Sequence, residues 1–208
     1  MWRSGVMALT LVLLAARGEA QEVSKPEAFF GKEEMERAAR LNDQNCKKGD
    51  GMSCFNLGVA YTDGIGVPKD VARAATFYKK ACDKDYLDAC NNLGAAYAEG
   101  QGVKKDAKQA LTLFEKSCTK GSAKGCFNVG QAHASGEGLP KDEAKALPYF
   151  DKACTQGHGQ GCFMQSKAYA LGLGVPKDMG RAKALLKKAC DNKFPPACRA
   201  LPAPSKAP

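Results

Sequence analysis

The chain has two histidines and a single tryptophan among 208 residues, and it lacks the short motifs that mark most small enzymes and metal sites. No G-x-S-x-G is present, which removes the strained serine elbow of many hydrolases. No C-x-x-C occurs, so a thioredoxin-like redox centre is excluded. Structural zinc needs closely spaced ligand pairs, and the cysteines here stand too far apart. Neither a metal nor a cofactor is expected. Long apolar runs are scarce as well. The stretch Val6–Ala16 falls well short of the roughly 20 residues that span a bilayer. With Arg3 before it and Gly18-Glu19-Ala20 after it, residues 1–20 read as an export signal cleaved after Ala20. An uncleaved anchor is the alternative reading. No cysteine lies near the cleavage point, so a lipid anchor is not expected. The mature chain is then expected in the periplasm or outside the cell, with no stable membrane insertion.

Acidic residues are also in the minority: 31 Lys and Arg face 22 Asp and Glu, a net charge of +9. A basic chain raises the question of nucleic acid. The lysines, however, recur at fixed intervals, as Lys69, Lys105, Lys141 and Lys177 and as Lys80, Lys116, Lys152 and Lys188. That pattern suits a solvated helix edge, and the chain carries an export signal. No nucleic-acid partner is expected.

Cysteine is plentiful and strictly placed. Ten cysteines fall at 46, 54, 82, 90, 118, 126, 154, 162, 190 and 198, so that steps of 8 and 28 alternate and the period is 36. Self-similarity at such a period marks a solenoid of stacked units. Four units follow one another without insertion, 46–81, 82–117, 118–153 and 154–189. Residues 21–45 read as an N-terminal half-repeat or capping helix. Residues 190–208 read as a truncated C-terminal cap with a proline-rich tail.

Each unit predicts two helices. In the first, Cys54, Leu57, Gly58 and Tyr61 fall at i, i+3, i+4 and i+7, one face of a 3.6-residue helix. The later units repeat it as Cys90/Leu93/Gly94/Tyr97, Cys126/Val129/Gly130/His133 and Cys162/Gln165/Ser166/Tyr169. A turn follows, DGIGVPKD in unit one, whose first glycine suits a left-handed helix end. Asp70, Asp106, Asp142 and Asp178 stand where a helix N-cap belongs. The second helix then carries Ala74, Phe77, Tyr78 and Ala81 inward. The G-x-G turns lack the third glycine and the preceding strand of a phosphate-binding loop.

The pattern N-L-G-x-x-Y-x-x-G-x-G-V-x-x-D followed by A-x-x-x-x-x-K-A resembles the Sel1-like repeat, a relative of the tetratricopeptide repeat. The regular C-x7-C pairs resemble its exported cysteine-rich branch, typified by the Helicobacter cysteine-rich proteins. The resemblance implies an all-α fold, a right-handed superhelix of αα-hairpins with one disulfide per repeat. Unit four departs from the pattern, with Met164, Gln165 and Ser166 in place of Asn-Leu-Gly. Within each C-x7-C pair, the first cysteine ends one helix and the second opens the next across a short polar loop. That hairpin can bring two Cα atoms within the 4.4–6.8 Å a disulfide spans. The expected pairs are Cys46–Cys54, Cys82–Cys90, Cys118–Cys126, Cys154–Cys162 and Cys190–Cys198.

Chemistry is harder to find. His133 occupies a tyrosine slot and reads as a packed aromatic; His158, in an inter-unit loop, reads as solvated. The Helicobacter resemblance also implies penicillin binding and weak β-lactamase activity. Ser117-Cys118-Thr119-Lys120 matches S-x-x-K, but no S-D-N or K-T-G follows. Ser117 also stands where other units place a buried alanine, so the match reads as accidental. In related αα-solenoids the first helices line the concave side. Here they present Asn56, Val59 and Asp63, then Asn92, Ala95 and Glu99, then Asn128, Gln131 and Ser135, then Met164, Lys167 and Leu171. The residues expected to touch a ligand are Asn56, Asp63, Asn92, Glu99, Asn128, Gln131 and Lys167, since an amide both donates and accepts. The other reading is that the asparagines bond the neighbouring hairpin's backbone. The expected partner is a protein or peptide, with a peptidoglycan fragment as the cell-wall variant. A β-lactam would be the ligand under the hydrolase alternative.

Overall fold

A computed structural model describes residues 31–201. The segment read as an export signal lies outside the described residues, as do residues 21–30 and the tail from Pro202. Among the described residues the secondary structure is entirely helical: α1 Lys32–Lys47, α2 Gly51–Asp63, α3 Val71–Asp83, α4 Leu87–Glu99, α5 Ala107–Thr119, α6 Ala123–Ser135, α7 Glu143–Thr155, α8 Gly159–Leu171, α9 Met179–Asp191 and α10 Pro195–Ala200. Each helix packs on its chain neighbours, so the units stack in sequence order as a solenoid. None of the described helices is long and apolar enough to cross a membrane.

The turn inside each hairpin is built twice over by glycine. Gly100 ends α4 in the left-handed region at φ +78°, its N–H bonded to the Ala96 carbonyl. Gly102, also left-handed at φ +71°, sits where a Cβ would strike the Val71 carbonyl in the first turn of α3. The first glycine stops a helix, and the second lets the turn of one unit lie on the helix of the unit before. The G-x-G is thus an inter-unit contact. Asp106 then closes the turn, its N–H 2.8 Å from the Tyr97 carbonyl and its carboxylate accepting from the N–H groups of Lys108 and Gln109. Asp70, Asp142 and Asp178 cap α3, α7 and α9 in the same way.

The five C-x7-C pairs are closed as disulfides, Cys46–Cys54, Cys82–Cys90, Cys118–Cys126, Cys154–Cys162 and Cys190–Cys198, with Cα separations of 4.4–4.7 Å. They do more than join helices. The positions of zero exposure are mostly Ala81, Ala89, Ala153, Ala189 and the cystine sulfurs, so each unit buries little apolar volume of its own. A disulfide closing so short a loop contributes about 2–3 kcal/mol on the chain-entropy model. That is substantial beside such a thin core.

Between units, the residue after the second cysteine reaches the N-cap of the next first helix. Phe55 lies 4.8 Å from Tyr86, Phe127 4.8 Å from His158, and Phe163 5.3 Å from Phe194, centroid to centroid. His158 is accordingly not solvated, as the sequence reading had it. It is half-buried against Phe127, and its Nδ1 accepts from the Gly161 N–H at 3.2 Å, capping α8. Burial, with a smaller contribution from Lys124, holds its pKa below the ordinary 6.5. The second unit breaks the aromatic pattern. Asn91, fully buried, donates to Ser122 Oγ at 2.9 Å, and the apolar core divides there between α4 and α5.

Candidate functional site

None of the last five residues of α4 or of α6 is buried, because the earlier part of each helix carries the disulfide and the buried side chains. On α4 the alternation is plain: Cys90, Leu93 and Gly94 are buried, whereas Asn92 and Ala95 are half-buried and Glu99 exposed. Gly94 permits this arrangement, since a Cβ there would lie 2.5 Å from the Phe114 ring. The second helix α5 therefore approaches closely enough to form a floor.

Two clefts follow from that packing. One, of about 280 Å³, is lined by Val71, Ala74 and Ala75 of α3 and by Asn92, Ala95 and Glu99 of α4. The other, of about 230 Å³, is lined by Ala107, Ala110 and Leu111 of α5 and by Asn128, Gln131 and Ala132 of α6, with Ala95 and Glu99 on its near side. Their linings correspond residue for residue across one period: Val71 to Ala107, Ala74 to Ala110, Tyr78 to Phe114, Asn92 to Asn128. The two clefts meet at Ala95 and Glu99 of α4, which line both. Neither reaches the roughly 300–1,000 Å³ typical of a small-molecule pocket.

Of the seven residues expected to touch a ligand, Asn92, Glu99, Asn128 and Gln131 line these clefts. Asn56, Asp63 and Lys167 do not. Asn56 and Asp63 are exposed on α2, and Lys167 is exposed on α8. Where Asn would fall in unit four, Met164 packs against the Phe127–Phe150 core. Sequence reasoning passed over Lys124, whose Nζ donates to Asn92 Oδ1 at 3.4 Å across the two units. It also missed Glu137 and Gln101, which stand at the far rim of each cleft one period apart. The 36-residue period carried a signal for that pair, but not for Lys124, since Asp88 and Gln160 hold its place in the neighbouring units.

The hydrogen bonds bear on whether the asparagines are inter-unit ties. Among the described residues, the side chains of Asn56 and Asn128 make no hydrogen bond, and Asn92 accepts only from Lys124. One buried tie between units is the neighbouring residue Asn91, through Ser122. Ser117, the serine of the S-x-x-K match, has zero exposure and packs against Gly125, next to the bridged Cys118. His133 is stacked on Tyr149 at 5.5 Å, as Tyr61 is on Phe77.

The comparisons with known proteins agree with this architecture. The family model described as Sel1 repeat matches residues 51–86, 87–122, 123–158 and 161–194. In the first three matches its frame starts at the first helix, five residues later than a division at the cysteines. No curated protein matches the chain in sequence. Among solved structures, a Sel1 repeat protein from Oxalobacter formigenes superposes with a TM-score of 0.75 at 27% identity, over 78% of this chain and 64% of that one. A protective antigen of uropathogenic Escherichia coli displaying an SLR fold gives 0.73 at 25% identity, over 78% and 35%. The chain thus spans about a third of the antigen and under two thirds of the Oxalobacter protein. Helicobacter pylori cysteine rich protein B gives 0.51 at 26% identity, over 64% of this chain and 96% of that one.

Proposed function

The chain belongs to the Sel1 repeat family, and from that premise we propose that it is an exported scaffold holding an extended peptide segment of a partner protein along its first helices. The observation that carries this reading is the pair of small clefts one period apart, each with an asparagine whose amide bonds no backbone of the fold. An extended peptide presents a side chain and a backbone amide at regular intervals, and a repeating groove with repeating carboxamides meets both. Five disulfides and no free cysteine among the described residues suit an oxidising compartment and hence export. Ser117, the serine of the S-x-x-K match, is buried and offers the hydrolase alternative no nucleophile.

Site-specific photocrosslinking tests the reading. A benzophenone amino acid at Ala95, which both clefts share, should trap an envelope protein from extract. The same probe at Thr76, exposed on α3 and outside both clefts, should not. Equal adducts from the two positions, or adducts from Thr76 alone, would contradict it.

A further inference from the structure

Charge is unevenly distributed along the solenoid. Between residues 31 and 153, 19 Lys and Arg stand against 17 Asp and Glu; between 154 and 201, 8 stand against 2. The last unit and its cap therefore carry most of the excess. Their two acids are already engaged: Asp178 caps α9 and pairs with Arg181 at 3.4 Å, and Asp191 pairs with Lys187 at 2.9 Å. Lys167 and Lys183 have no carboxylate within 4.0 Å among the described residues. The two most exposed large apolar side chains of the described residues, Leu171 and Met179, each 60% exposed, lie in the same unit.

These four residues are not scattered. Two periods on from Glu99, Ala107 and Leu111, all of which line the second cleft, stand Leu171, Met179 and Lys183. One period on from Gln131 stands Lys167. They therefore continue the line of the groove. Along that line the chemistry is graded: Asp63, Glu99, Ser135 and Leu171 follow one another at one position, and Val59, Ala95, Gln131 and Lys167 at another. The N-terminal end is acidic, and the C-terminal end is cationic and apolar. The groove changes at its end in another way too. In the two clefts the far wall is the later half of the next first helix, but α10 has 6 residues where α4 and α6 have 13.

We propose that unit four seats the acidic, apolar end of the partner peptide. Its carboxylates lie between Lys167 and Lys183, its large side chains rest on Leu171 and Met179, and its chain runs on toward Asn128 and Asn92. The proposal rests on the groove reading and adds to it a partner chemistry and a direction. Charge complementarity selects the occupant. Continuity with recessed clefts favours an extended chain over a flat bilayer.

The test uses oxidised protein and two labelled peptides, one of interspersed glutamates and leucines and one with lysine at every glutamate. Fluorescence anisotropy should detect binding of the acidic peptide and not of the basic one. That binding should weaken steeply with salt, as the Debye length falls from roughly 10 Å at 0.1 M to 3 Å at 1 M. The variant Lys167→Glu/Lys183→Glu alters only exposed groups, so its thermal melt should match the wild type. It should bind about tenfold or more weakly, since like charges then face each other. Equal binding of both peptides, or no loss on charge reversal, would overturn the proposal. So would sedimentation with phosphatidylglycerol vesicles in place of peptide binding, which would make the patch a membrane contact. Self-association abolished by Leu171→Ser/Met179→Ser would overturn it in favour of a second copy. If the Ala95 adduct forms but its partner's affinity ignores charge reversal, this proposal fails while the groove reading stands.

Discussion

Gly94 and Ser166 occupy the same place two units apart, with Gly130 between them, and the difference is decided by one neighbour. Gly94 faces the Phe114 ring, and Gly130 faces Phe150 with 2.8 Å left for a Cβ. In unit four the ring is replaced by Leu186, and Ser166 fits, its hydroxyl donating to the Ala182 carbonyl at 2.6 Å. The departure noticed in the sequence is thus a compensated pair. Gly94→Ala should cost about 1–3 kcal/mol through overpacking, and a denaturant melt would show it. An unchanged midpoint would mean that α4 and α5 do not touch as described. His158 is the other instructive residue. Burial lowers its pKa in the folded state, so the unfolded chain takes up the proton more readily. The sign is that of a depressed histidine: its contribution is complete above the unfolded pKa, near 6.5, and is lost as pH falls through that value toward the folded pKa. Melting temperature should therefore decline between pH 7 and 5.5. In His158→Asn, which keeps a capping side chain, that slope should flatten. An identical slope in the variant would assign the pH dependence to other groups.

At the scale of elements, the helices and turns were legible because a period repeats its own argument four times. The cysteine spacing, the first glycine and the capping aspartate each appear in register, and no single unit had to be read alone. The second glycine was less legible. Its role depends on the unit before it, and a sequence does not show which backbone lies beneath a turn. Gly100→Ala should cost about 1 kcal/mol for a left-handed residue. Gly102→Ala should cost more, because its Cβ meets the Val71 carbonyl as well. Comparing the two melts checks this, and equal losses would contradict the docked turn. The polar joint at Asn91 was also missed. Next to Asn92 it looks like one more surface amide, yet a turn of 100° separates a groove residue from a core residue. Its Oδ1, like Ser117 Oγ, is buried with no partner among the described residues.

For the whole molecule, a stack of units with small cores relies on nearest neighbours and covalent staples, so stability is distributed and the outer face is free to vary. That freedom is why the candidate site was only half legible. Core positions repeat because packing demands it, whereas groove positions such as Val59, Ala95, Gln131 and Lys167 differ in every unit. Periodicity placed Asn92, Glu99, Asn128 and Gln131 together, but could not show that Asn56 and Asp63 fall outside the two clefts. The asparagines either hold a ligand or hold the fold. The double variant Asn92→Ala/Asn128→Ala, measured by calorimetry against the partner trapped at Ala95 and by thermal melting, separates the two. Affinity should fall by about 1–3 kcal/mol, the worth of two modest hydrogen bonds and their stranded partners, with the melt unchanged. A lowered melt with unchanged affinity would contradict the groove.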